Sequence, residues 1–83
     1  MPTVTQPAPP ADATRVLLRV APGRIAELHG IVEGYDDLAV VRTLRPAEGL
    51  LEILVSPGRE AEFRALLAAL AGEGLPTEPG EGG

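Results

Sequence analysis

The chain predicts an α+β fold, an antiparallel sheet with two helices on one face, and three observations predict it. Apolar residues along residues 14–71 switch between a period of two and a helical period of about 3.6. The order in which they switch reads β-α-β-β-α. The same strand-to-helix corner occurs twice, 35 residues apart: Val20–Leu28 reads V-A-P-G-R-I-A-E-L and Val55–Phe63 reads V-S-P-G-R-E-A-E-F.

Each element follows in turn. Thr14–Val20 alternates, with Val16, Leu18 and Val20 on one face and Arg15, Leu17 and Arg19 on the other, so it reads as a strand. After Ala21-Pro22-Gly23 the residues Ile25, Leu28, Val32 and Tyr35 recur at helical spacing, and Gly34 suits a helix stop. Leu38–Leu44 is β-branched and strand-like. Its pattern leaves open whether Val40, Arg42 and Leu44 or Ala39, Val41 and Thr43 share a face with Leu17. Pro46–Gly49 is turn chemistry, and Leu50–Ser56 is a third strand. Glu60–Ala71 places Phe63, Leu66, Leu67 and Leu70 on one side of a second helix. Pro22 and Pro57 suit first helical positions, and Ser56 suits an N-cap. Two similar β-α halves joined by a hairpin form the split β-α-β, ferredoxin-like sandwich, β-α-β-β-α(-β).

The domain expected is residues 14–71, between a Pro-rich N-terminal tail (1–13) and a Gly/Glu/Pro-rich segment (72–83). Pro76 and Pro79 permit only a short last edge strand, at 75–78 if at all. That leaves the edge of Thr14–Val20 bare and in need of cover, from Val4-Thr5 of the N-terminal tail or, as is favoured, from a partner chain. The opposite sheet face carries Leu17, Leu50 and Leu54 beside Arg15, Arg19 and Glu52, where a face in water is ordinarily polar. These six residues form the expected interface of a homo-oligomer, a dimer or higher. A foldable part this short adds to the pressure to associate, because small domains bury little surface.

Composition removes several function classes. The 83 residues contain no Cys, which excludes a disulfide framework, a thiolate nucleophile and Cys-ligated metals. His29 is the one histidine, so a site with several imidazole ligands is impossible within one chain, and neither a metal nor a cofactor is expected. The formal charge is −5, from 7 Arg and 12 acids, but Thr14–Ala71 alone holds 7 Arg against 8 acids, about −1. A near-neutral to acidic chain argues against nucleic-acid binding. No run approaches the ~18 apolar residues of a membrane span and no secretory h-region is visible, so a cytoplasmic location is expected. Arginine without lysine, and no Asn with a single Gln, suit a bacterial, thermophilic origin.

The chemical candidates are the two Pro-Gly-Arg corners. Gly23-Arg24 and Gly58-Arg59 each combine helix-start N–H groups, a permissive glycine and a guanidinium, the chemistry that holds a small anionic ligand. The turn Glu33-Gly34-Tyr35-Asp36-Asp37 gathers carboxylates, but Asp at such corners caps its own turn, and Tyr35 is expected to pack behind the glycine. His29 and Ser56 have no catalytic partner nearby in sequence, so no catalytic residue is assigned and a non-enzyme is expected.

The domain resembles the ACT-like group, small regulatory β-α-β-β-α-β domains. The resemblance implies binding of amino acids or similar effectors at oligomer interfaces, with Gly23 in the position of the group's glycine-containing loop. The stretch Ile31–Leu44, with its helix ending in Glu33-Gly34-Tyr35-Asp36 before a strand, is also similar to a short, uncharacterised bacterial domain family. That second resemblance runs from about Arg15 to Leu70.

Overall fold

A computed structural model describes residues 13–80; most of the expected N-terminal tail lies outside the described residues. The elements are β1 (Thr14–Arg19), α1 (Ile25–Glu33), β2 (Ala39–Arg45), β3 (Leu50–Val55), α2 (Glu60–Gly72) and β4 (Glu78–Pro79). The sheet order is β2-β3-β1-β4 with every neighbouring pair antiparallel, the ferredoxin-like arrangement. Both β-α-β units are therefore split, each by a strand of the other.

One face of the sheet holds the core. Leu18 and Val20 of the first strand region, Leu51, Ile53 and Val55 of β3, Leu28 and Val32 of α1, and Phe63, Leu66 and Leu70 of α2 form one buried cluster. Ala39 and Val41 pack against it, which settles the register left open in β2. Val40 pairs with Leu54 and Arg42 with Glu52, so Val40 and Arg42 join Leu17 on the open face.

Several local expectations are corrected. Pro22–Arg24 forms a tight 3₁₀ turn ahead of α1, so Pro22 starts that turn rather than the α-helix. Ser56 does not cap α2; its hydroxyl donates to the Asp37 carbonyl and its N–H to the Leu38 carbonyl. Gly34 keeps ordinary helical geometry, and the left-handed residue of the α1–β2 turn is Asp37, at φ 56°. Asp tolerates that region because its short polar side chain bonds locally. Tyr35 is 44% exposed and does not pack behind the helix end.

The C-terminal segment is more than a tail. Leu75 is 2% exposed within the core, and its N–H donates to Leu70. The short last strand forms at Glu78–Pro79 rather than at 75–78, pairing with Arg19 and Leu18. Gly80 then donates to the Leu17 carbonyl at 2.7 Å, so the edge of β1 is covered from Leu17 to Arg19. The prolines still limit the strand, because neither can supply a ladder N–H.

Candidate functional site

The two Pro-Gly-Arg corners are used in the same way, and that use is internal. Arg24 forms a two-pronged pair with Glu27, Nε to Oε1 and Nη2 to Oε2, both 2.9 Å. Its remaining Nη1 donates to the Gly74 carbonyl, just beyond the end of α2. Arg59 pairs with Glu62 in the same manner at 2.8 and 2.7 Å, and its Nη1 donates to the Asp36 carbonyl, beyond the end of α1, at 2.7 Å. Each arginine thus ties the start of its own helix to the loop that leaves the other. Hydrogen bonding by Arg24 holds the Glu27 carboxyl below its ordinary range, and Arg59 does the same to Glu62. The 35-residue echo was the signal for this; residue spacing alone does not show that the guanidiniums reach across.

A cleft of about 340 Å³ beside Arg24 is lined by Arg19, Arg24, Glu48, Leu75 and Glu78, among others. Its two arginines face two glutamates, which leaves no excess positive charge for an anion. Gly23 and Gly58 border open space, and Gly58 has φ 81°. His29 Nε2 lies 3.1 Å from the Thr43 hydroxyl across to β2. Asp36 and Asp37 use their carbonyls on Arg59 and Ser56. No group of three His, Asp or Glu side chains among the described residues is placed to hold a metal ion.

The open sheet face has a geometry that the strand pattern only partly showed. Glu52, at the centre of β3, is 8% exposed although no helix covers it. Arg15 from β1 reaches one carboxylate oxygen at 2.6 Å, and Arg42 from β2 reaches the other at 3.3 Å. At the end of the face Glu48 is held likewise, by Arg19 at 3.0 Å and Arg45 at 3.3 Å. Those hydrogen bonds, Arg19's first, keep the Glu48 carboxyl below its ordinary range. Two carboxylates under four guanidiniums leave this end of the molecule with a net charge of about +2. Beside Glu52 on the same face lie Leu17, Val40 and Leu54, half-buried, with Leu44 38% exposed. Leu50, expected on this surface, is 5% exposed; the close approach of Gly80 to its Cδ1 explains why it is shielded.

No helix among the described residues is long and apolar enough to cross a membrane. No curated protein and no solved structure matches the chain. The family described as "Domain of unknown function (DUF4911)" matches residues 18–73, from within β1 to just past α2, and takes in the Glu33-Gly34-Tyr35-Asp36 stretch. That span holds Arg24, Arg59 and most of the open face, with the Gly74 carbonyl that Arg24 reaches one residue beyond it, and the chain belongs to this family.

Proposed function

We propose that the protein is a non-catalytic binding or regulatory module of ACT-like type that works as a homo-oligomer through its open sheet face. The observation that carries this reading is the face itself: Leu17, Val40 and Leu54 surround a carboxylate already neutralised by two arginines. Covering the apolar side chains removes them from water, and both carboxylates of the face already hold guanidinium partners when water is excluded. The non-catalytic part is supported by what the reactive side chains do. His29 bonds Thr43, Ser56 bonds a carbonyl, and Arg24 and Arg59 tie the helices.

A small anionic ligand at Gly23 and Arg24 would have to compete with Glu27 for the guanidinium. Thermal-shift measurements with amino acids, nucleotides and phosphate address it, with Arg24→Ala as control, since a ligand of the folded state raises the melting temperature. The oligomer is tested by light scattering: the wild type gives a dimer or larger, and Leu17→Glu with Leu54→Glu gives a folded monomer. A monomeric wild type overturns it. The second reading, an adaptor docking this face on another protein, is favoured by the net positive charge there, which suits an acidic partner surface.

A further inference from the structure

A different surface carries a binding site. Among the described residues, β4 and Gly80 cover β1 from Leu17 to Arg19. In an antiparallel ladder successive residues point their N–H and C=O groups to alternate sides. The Leu17 carbonyl faces β4, so Arg15, two residues earlier, presents its N–H and C=O to the same edge. Among the described residues, nothing pairs with Arg15 there.

Beside that edge lies a trough of about 220 Å³ between β1 and α2. Its walls are apolar, from Val16, Leu18, Val55, Phe63, Leu67 and Pro79. Its rim is polar: the Thr14 hydroxyl donates to Glu60 at 2.8 Å, and Arg64 stands at the border. Six of the seven arginines are in ion pairs; among the described residues Arg64 is in none, although its charge acts on Glu60 one turn earlier.

Size selects the occupant. Small-molecule sites run to roughly 300–1,000 Å³. This trough is smaller and suits one large apolar side chain. A strand laid on the Arg15 edge turns alternate side chains toward α2, which delivers such a side chain opposite Val16. We propose that this edge and trough bind an extended peptide segment by strand addition, with one large apolar residue in the trough and a carboxylate on Arg64.

The test uses the full chain, labelled for NMR, and a capped pentapeptide, Glu-Val-Leu-Val-Glu. The expected result is saturable binding, shifts at Arg15, Val16 and Leu67, and amide exchange at Arg15 slowed at least about tenfold. Arg64→Glu, an exposed site, should keep the dispersed spectrum of a folded chain and weaken the peptide about tenfold, the order of one charge-assisted contact. A probe with lysines in place of the glutamates should recover that loss. Four results overturn the proposal: no shift at Arg15 by millimolar peptide; equal binding of a probe N-methylated at its central residues; the same shifts from isovalerate alone; or binding only after truncation beyond Gly80, which would assign the edge to the chain's own residues 81–83.

Discussion

Gly49 closes the β2–β3 hairpin at φ 68°, a left-handed conformation that glycine adopts without strain. Its carbonyl accepts from Val20 at 3.0 Å, and a Cβ there would overlap the Val20 carbonyl oxygen. Both the dihedral and the contact oppose a side chain. Gly49→Ala should lower stability by about 2–4 kcal/mol, read from urea unfolding, since strain and overpacking add. Glu52 behaves differently. Its carboxylate is buried, but Arg15 and Arg42 have side chains 56% and 66% exposed. Removing the charge leaves two guanidiniums that water can solvate, so Glu52→Gln should cost only about 1 kcal/mol in the same assay. A loss near 4 kcal/mol would mean that the arginines are desolvated in the working assembly.

At the scale of elements, the helices begin without side-chain caps and rely on carboxylates in their first turns. Glu27, Glu60 and Glu62 all titrate below the ordinary value of 4.5, held down chiefly by Arg24, Thr14 and Arg59 respectively. A depressed folded-state value means the unfolded chain binds more protons. The stabilisation is therefore complete above the ordinary value and is lost as pH falls through the folded ones. The melting temperature should be level above roughly pH 5 and fall below it, with a shallower fall in high salt. A flat profile down to pH 3 would show that these pairs contribute nothing. Leu75 makes the segment after α2 part of the core, so Leu75→Ala should cost about 2–4 kcal/mol by calorimetry or denaturant. An unstructured tail would lose nothing.

The whole molecule is a sheet covered on one side. Its proposed self-association predicts that the melting temperature rises with protein concentration, because binding to the folded state alone adds stability. The Leu17→Glu, Leu54→Glu variant should melt at one temperature at every concentration. The charge of −5 is unevenly placed: Glu48 and Glu52 lie under four arginines, whereas the helices and the turn after α1 carry Glu27, Glu33, Asp36, Asp37, Glu60 and Glu62 against Arg24, Arg59 and Arg64. An acidic helix surface and a basic sheet face give the molecule a polarity that its net charge does not express.

Element type was legible in the sequence because periodicity is a local property: Val16-Leu18 and Phe63-Leu66-Leu67-Leu70 declare strand and helix without reference to the rest of the chain. The repeated Pro-Gly-Arg corner, read with the hairpin, also determined the topology. The tertiary structure decided what no local pattern contains. It chose the register of β2, because Val40 and Arg42 take their face from Leu54 and Glu52 on the next strand. It also decided the use of Arg24 and Arg59, whose carbonyl partners lie 50 and 23 residues away. A guanidinium at a helix start can hold an anion or its own chain. Only the closing of two helices over one sheet brings Gly74 and Asp36 within reach.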